Sequence, residues 1–129
     1  MIISAAEGVT ETTKQHFHLA FALKVPVIVL VTKLDLIDEE KLLKVREQVK
    51  LLLKSSQFSR ISIVIKTNTD VDLATKSFEE NIVPILFISN KSGQGLDLLI
   101  RLLNSLPPHN DWQSMIKDRA EVNIHCTFA

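Results

Sequence analysis

Residues 27–35 of the chain read VIVLVTKLD. The first five of these residues are branched or long apolar side chains without alternation, which is typical of a strand covered on both faces of a parallel sheet. Thr32, Lys33 and Asp35 follow at once. The stretch therefore predicts a buried strand that ends in a polar loop.

A second stretch repeats this arrangement further along the chain. Residues 83–89 (VPILFIS) have the composition of another covered strand, and the polar loop NKSGQG, residues 90–95, follows it. Residues 1–5 form a shorter apolar run that ends before Glu7 and Gly8. We therefore expect three strands whose carboxyl ends carry polar residues.

Helical patterns separate these strands. Thr10 and Asp38 are suitable N-caps, and acidic residues follow each of them. Pro26 ends the first helical region. The residues predicted to line the helices are Phe17, Ala20 and Phe21 in the first, Leu42, Val45, Val49, Leu52 and Leu53 in the second, and Leu96, Leu99, Leu102, Leu103 and Leu106 in the last.

The alternation of strands and helices predicts an α/β fold, specifically a three-layer, partial doubly wound parallel sheet. Residues 61–66 have strand-like composition and residues 70–80 should hold a helical turn, but the pattern does not place residues 57–82 in the sheet. We assign residues 1–108 to this domain and 109–120 to a linker. Residues 121–129 alternate in polarity, which indicates the start of a truncated β-barrel domain.

Composition limits the possible functions. Fifteen basic and fifteen acidic residues give a formal net charge of zero, which argues against a dedicated nucleic-acid surface. The single cysteine, Cys126, excludes an internal disulfide and fits a reducing compartment. No apolar run reaches the roughly 18 residues of a membrane span. We therefore expect a soluble, cytoplasmic protein without a membrane partner.

The two polar loops contain the chemistry of a base-binding site. A carboxylate such as that of Asp35 can accept hydrogen bonds from the adjacent N–H groups of guanine, and adenine lacks that pair. Lys33 can lay its methylene stem over the base. Backbone N–H groups of residues 89–93 can meet the guanine carbonyl, and Ser89 can brace the first loop. Either loop alone is also typical of an ordinary turn, but their equivalent positions favour a nucleotide-base pocket.

These loops resemble known GTPase motifs. TKLD at residues 32–35 resembles the Asn/Thr-Lys-x-Asp motif, and SNK at residues 89–91 resembles Ser-Ala-Lys. AAEG at 5–8, with TKQH at 13–16, resembles a segment of elongation factor Tu-like translational GTPases. Within these, LLKS at 52–55, Asp70-Val71 and LDLL at 96–99 resemble the eukaryotic GTP-binding protein 1 and 2 family.

The resemblance covers residues 2–108 and implies the guanine-recognising half of a GTP-binding (G) domain. It implies that GTP or GDP contacts Thr32, Lys33, Asp35, Ser89, Asn90 and Lys91. It also implies ribosome or RNA-bound complexes as partners. No catalytic or metal-binding residue is expected in this chain: His16 and His18 point about 200° apart on a helix, and neighbouring His125 and Cys126 would face opposite sides of a strand.

The sequence departs from the family where the phosphates bind. The three glycines, at positions 8, 93 and 95, cannot form Gly-x-x-x-x-Gly-Lys-Ser/Thr, and the switch threonine and Asp-x-x-Gly are also missing. We therefore expect GTP hydrolysis and Mg²⁺ binding only in a full-length parent, with weak GTP binding and no turnover here. The alternative is a non-enzymatic α/β binding module or pseudo-GTPase scaffold; a phosphate loop encoded upstream of Met1 would decide between them. Because the family neighbour of the first strand is missing, self-association through residues 1–5 is expected.

Overall fold

The computed structural model describes residues 1–54, 60–76 and 82–106. Strands and helices alternate through these ranges, as the sequence predicts. The strands are β1 (Ile2–Ser4), β2 (Val29–Thr32), β3 (Ile61–Val64) and β4 (Ile82–Phe87). The helices are α1 (Glu11–Ala22), α2 (Glu39–Lys54), α3 (Asn68–Lys76) and α4 (Leu96–Ser105), with a short 3-10 helix at Leu34–Leu36.

The four strands form one parallel sheet in the order β1-β2-β4-β3. Ile3 lies beside Val31, which in turn lies beside Phe87, so β2 and β4 have neighbours on both sides. This arrangement explains the continuous apolar runs of β2 and β4, since a strand inside a parallel sheet has both faces covered. The predicted α/β class and parallel sheet are confirmed.

Two apolar clusters cover the two faces of the sheet. On one face, Phe17 and Phe21 of α1 and Val45, Val49 and Leu53 of α2 pack with Ile3, Val29, Val31, Val83 and Ile85. On the other face, Val71 and Ala74 of α3 and Leu102 of α4 pack with Ile65, Leu86 and Ile88. The sheet is therefore the middle of three layers.

The unit formed by β3 and α3 is the part that the sequence did not place. β3 lies at one edge of the described sheet and pairs with β4, so that Ile63 lies beside Pro84. Ile61 is exposed and the rest of the strand is half-buried, because an edge strand has one neighbour instead of two. Residues 61–66 thus have the strand-like composition expected of them, and the pairing with β4 gives the place in the sheet that the sequence pattern did not.

The helix ends follow the predicted capping. The Thr10 hydroxyl accepts from the Thr13 N–H at 3.2 Å, and Thr10 and Thr13 form a reciprocal capping box. The Asp38 carboxylate accepts from the Lys41 N–H at 2.8 Å at the start of α2. Both predicted N-caps are therefore confirmed, and they fix where each helix leaves its loop.

One predicted core residue of α4 is wrong. Leu103 is 53% exposed, whereas Leu102 is fully buried and Leu98 and Leu99 pack partly against its cluster. Successive helical residues are about 100° apart, so the face centred on Leu102 turns Leu103 toward solvent. The predicted linker and the β-barrel segment at 109–129, with His125 and Cys126, lie outside the described residues. Among the described helices, none is both long and apolar enough to cross a membrane.

Candidate functional site

The connections of the sheet define where a ligand site can form. After β2 the chain enters α2 on one face, and after β4 it enters α4 on the opposite face. β2 and β4 are neighbours in the sheet, so their carboxyl ends border a gap between loops that diverge. This topological switch point is where open α/β sheets bind ligands. Both loops selected from the sequence lie there.

The loop after β2 carries Asp35 on a short, tightly turned backbone. Thr32 ends the strand; its carbonyl accepts from the Ala5 N–H at 2.9 Å, and its hydroxyl donates to the Ile3 carbonyl at 3.4 Å. Lys33 then adopts a left-handed conformation with φ of 61° and ψ of 40°. The 3-10 helix that follows contains Asp35. Anchoring to β1 and this sharp turn together place the Asp35 carboxylate at the sheet edge.

The loop after β4 closes around Ser89. Ser89 is fully buried, its N–H donates to the Gln94 carbonyl at 3.0 Å, and its carbonyl accepts from the Gly93 N–H at 2.9 Å. Its hydroxyl oxygen also accepts from the Ser92 N–H at 3.3 Å. The backbone of the loop therefore holds the Ser89 side chain in one orientation.

The two loops meet through one hydrogen bond. The Ser89 hydroxyl donates to Asp35 Oδ1 at 2.6 Å, across 54 residues of sequence. The brace between the loops that the sequence suggested is therefore present. Because a buried hydroxyl holds a carboxylate that is itself exposed, the carboxylate is oriented yet accessible to a ligand.

The same contact favours the ionised form of the Asp35 carboxyl. The Ser89 hydrogen bond is the largest cause of a lowered pKa for the Asp35 carboxyl, opposed by some desolvation. The Asp35 backbone N–H and the charge of Lys91 lower the pKa further. A hydrogen bond to the ionised form favours that form, so Asp35 is an anionic acceptor near neutral pH.

The remaining predicted site residues lie at the rim. The side chains of Lys33, Asn90 and Lys91 are exposed. Among the described residues, the backbone N–H groups of Asn90 and Lys91 donate to no other group. The structure therefore brings Asp35 and Ser89 into direct contact, and the neighbouring Asn90 and Lys91 N–H groups have no acceptor within the described ranges.

Sequence reasoning missed two backbone features of the site. One is the left-handed conformation of Lys33, and the other is the positive φ of both Gly93 and Gly95. The Ser-Gly-Gln-Gly pattern was the available signal, since glycine is the usual residue at positive φ. The pattern alone does not say which glycine the fold requires.

Two cavities formed by described residues have none of the six predicted site residues in their linings. A groove of about 440 Å³ between α1 and α2 is lined by Val9, Lys14, His18, Gln48, Leu51 and Leu52. A smaller one, of about 280 Å³, lies beyond β4 and includes Phe87, Gln94 and Gly95 in its lining. We favour the Asp35–Ser89 edge because polar groups converge there. Within the described ranges, no three His, Cys, Asp or Glu side chains are grouped so as to hold a metal ion.

Comparison with known proteins shows relatives of this chain that share the region containing both loops. Residues 1–109 match the model of the elongation factor Tu GTP-binding domain family. The chain is 35% identical to GTP-binding protein 1 of Xenopus laevis over 130 aligned residues, which cover all of this chain and 20% of the relative. It is 34% identical to GTP-binding protein 2 of Homo sapiens and of Mus musculus over 110 residues, 84% of this chain. The chain thus spans about a fifth of the length of the relatives it matches.

Proposed function

Because the chain belongs to the elongation factor Tu GTP-binding domain family, we propose that it is the part of a translational GTPase that recognises the guanine base. The observation that carries this proposal is the Asp35–Ser89 hydrogen bond at the switch point between β2 and β4. It supports the proposal because it fixes an anionic acceptor where such sheets bind ligands.

Guanine recognition follows from the hydrogen-bonding capacity of Asp35. A carboxylate has about four lone-pair sites on its two oxygens. The Ser89 hydroxyl donates to Oδ1, so acceptor capacity remains for the guanine N1–H and N2–H donors. Adenine offers no such pair of donors. Adenine bound in the same place would therefore leave acceptor sites of the Asp35 carboxylate without a hydrogen bond. Asp35 therefore distinguishes the bases by the donors it can accept.

The rim residues complete the pocket in this proposal. The stem of Lys33 covers one face of the base while its ammonium group stays in water. The free N–H groups of Asn90 and Lys91 are donors for the guanine O6, which has no proton of its own. The Ser89 hydrogen bond is the main cause of the lowered pKa of Asp35, and the charge of Lys91 adds to it. Thr32 holds the start of the loop through its contacts with β1.

GTP hydrolysis belongs to the full-length parent in this proposal. The phosphates and Mg²⁺ are held in such GTPases by a glycine-rich loop and its Ser or Thr, and none of the 129 residues forms that motif. The residues described here serve binding of GTP or GDP through the base alone. Work on the ribosome or on RNA-bound complexes in the cytoplasm is the role that the family relationship suggests for the parent.

Calorimetry and NMR with the isolated chain test base recognition. Phosphate and magnesium contacts supply much of the affinity at such sites, so we expect GTP and GDP to bind with a dissociation constant of about a millimolar or weaker. The amide signals of residues 33–35 and 89–92 should shift with GMP and not with AMP. Asp35→Ala is the matched control that should abolish these shifts. Micromolar GTP binding, GTP turnover by the pure chain, or equal shifts with AMP would contradict the proposal.

We further propose that the chain self-associates through β1. In the described sheet β1 pairs with β2 on one side only, and Ile2 is 70% exposed beside that open edge. Unpaired strand edges without charge or proline promote pairing between chains. Light scattering over a concentration series should show mass increasing with concentration, and Ile2→Lys should reduce it. A strictly monomeric chain with slow amide exchange at Ile2 and Ile3 would instead indicate an internal cover for this edge.

A further inference from the structure

Gly95, in the loop after β4, lies close to the backbone of that strand. It adopts φ of +74°, and a Cβ atom there would lie 2.6 Å from the Phe87 carbonyl oxygen and 3.2 Å from Ile88 Cγ2. Non-bonded Cβ atoms essentially never come within 3.0 Å of another heavy atom. The atom in the way is backbone, so it cannot move aside as a flexible side chain can. Any other residue at position 95 must displace the chain.

The displaced chain is the segment that holds Ser89. Phe87 precedes Ser89 by two residues, at the end of β4. On the other side of the contact, Gln94 adjoins Gly95 and its carbonyl accepts from the Ser89 N–H at 3.0 Å. The Gly93 N–H donates back to the Ser89 carbonyl at 2.9 Å. Gly95 therefore touches the strand before Ser89 while its neighbours bond to Ser89 itself.

We propose that Gly95 is a positioning residue of the base site, whose missing side chain lets the loop close on β4 and sets the Ser89 hydroxyl against Asp35. Its relevance to guanine rests on the function proposed above. Its effect on Asp35 is independent of any ligand, because the Asp35–Ser89 contact is already made without one. Gly95 touches no nucleotide in this proposal and acts only through Ser89.

Gly93 provides a matched control two residues away. It has nearly the same backbone conformation, with φ of +78°, so an alanine there meets the same backbone strain. A Cβ atom at Gly93 would meet nothing within 4 Å. The two glycine-to-alanine variants therefore differ in the steric contact with β4 and share the conformational penalty.

The test compares Gly95→Ala, Gly93→Ala, Ser89→Ala and the double variant Ser89→Ala/Gly95→Ala in the full chain. NMR titration of the side-chain carboxyl carbon of Asp35 reports its pKa. We expect Gly95→Ala and Ser89→Ala each to raise the pKa of Asp35 toward its ordinary value, because both remove the Ser89 hydrogen bond. Gly93→Ala should leave the pKa unchanged, and the double variant should match Ser89→Ala alone, as coupled residues do.

GMP binding by the same variants separates this proposal from the proposed function. Losing the brace should weaken GMP binding about tenfold in Gly95→Ala, and the loss should be smaller in Gly93→Ala, where the added Cβ atom makes no contact with β4. If the pKa of Asp35 changes as expected but neither the unsubstituted chain nor any variant binds GMP, positioning by Gly95 stands and guanine recognition fails. The positioning role would be overturned by additive pKa changes in the double variant or by equal effects of the two glycine variants. Unfolding of Gly95→Ala would also overturn it, because the proposal expects the loop to shift while the rest of the chain stays folded.

Discussion

Asp35 and Asp70 occupy comparable places in the sheet and have different partners. Asp35 follows β2 and Asp70 lies in the first turn of α3 after β3, so both stand at the carboxyl edge. Asp70 Oδ2 accepts from the Lys66 N–H at 2.9 Å and from the Thr67 N–H and hydroxyl, both at 2.8 Å. Asp35 receives its side-chain hydrogen bond from Ser89, 54 residues away. Asp70 closes its own turn, whereas Asp35 joins two loops.

A lowered pKa does not separate these two roles. The Lys66 N–H is the largest cause of the lowered pKa of Asp70, and the Ser89 hydroxyl is the largest cause for Asp35. In both cases the folded-state pKa lies below the ordinary value of about 3.9. Each carboxylate therefore stabilises the fold above that pH, and the contribution is lost as pH falls through the folded-state pKa. The informative difference is the origin of the donors: the donors to Asp70 are local and cap its helix, whereas the donor to Asp35 comes from another loop and joins the two loops.

The backbone before Asp35 is strained, and the backbone before Asp70 is not. Lys33 lies two residues before Asp35 in a left-handed conformation. Among the described residues, the only other non-glycine residue at positive φ is Lys24, and none lies in the loop that leads to Asp70. Left-handed backbone is costly for a residue with a side chain. The loop of Asp35 therefore carries strain that the loop of Asp70 does not.

Asp35→Asn should change base preference strongly in a full-length parent that carries a phosphate loop. An amide presents a donor where the carboxylate presents an acceptor, and xanthine has a carbonyl where guanine has its amino group. We expect the preference for GTP over XTP to change by on the order of a hundredfold or more, because wrong partners leave buried groups unpaired. Competition binding with GTP and XTP measures it. A variant that binds GTP normally and ignores XTP would show that Asp35 does not read the base.

Asp70→Asn makes the same chemical change where only local contacts should be affected. Three donors converge on one oxygen of Asp70, and hydrogen bonds to a charged acceptor are stronger than those to a neutral amide. We expect a melting temperature lower by a few degrees, with unchanged base preference in the same parent. Differential scanning calorimetry measures the first effect. A change in the GTP-to-XTP preference would remove the distinction between the two carboxylates.

The sequence predicts the parts of this fold that are buried on both sides. β2 and β4 are found from residues 27–31 and 83–89, because interior parallel strands leave an uninterrupted apolar signal. β3 lies at an edge and Ser62 interrupts its apolar residues, so its place in the sheet cannot be deduced from the pattern. Position in a sheet depends on partners that are distant in sequence, and a local pattern does not contain them.

The candidate site divides along similar lines. Asp35 and Ser89 are found from the sequence because polar residues directly after buried strands must lie at the carboxyl edge. The requirement at Gly95 is not found, since it arises from the approach of Phe87 in three dimensions. Gly93, with a similar φ and open surroundings, is equivalent to Gly95 in a sequence pattern. Residue identities thus predict the chemistry of the site, and packing determines which backbone positions permit it.

Lys33→Gly tests whether the left-handed backbone at Lys33 serves base binding. Lys33→Gly should raise the free energy of unfolding by about 0.5–1 kcal/mol, because glycine relieves the left-handed strain but has more freedom to lose on folding. Lys24→Gly is the matched control. Lys24 has φ of 55° at the end of α1, where the Val25 N–H donates to the Ala20 carbonyl and the Lys24 N–H to the Phe21 carbonyl in a Schellman motif.

Urea denaturation measures the stability of the two variants, and NMR titration with GMP measures their base binding. Both lysine-to-glycine changes remove one positive charge and one left-handed side chain, so they should stabilise the chain by similar amounts. Lys33→Gly also removes the stem proposed to cover the base, so it alone should weaken the GMP-induced shifts around Asp35. Lys24 precedes β2 whereas Lys33 follows it, so Lys24→Gly should leave the shifts intact. If Lys33→Gly is stabilised and still binds GMP like the unsubstituted chain, the left-handed turn only shapes the loop, and Asp35 reads the base without the Lys33 stem.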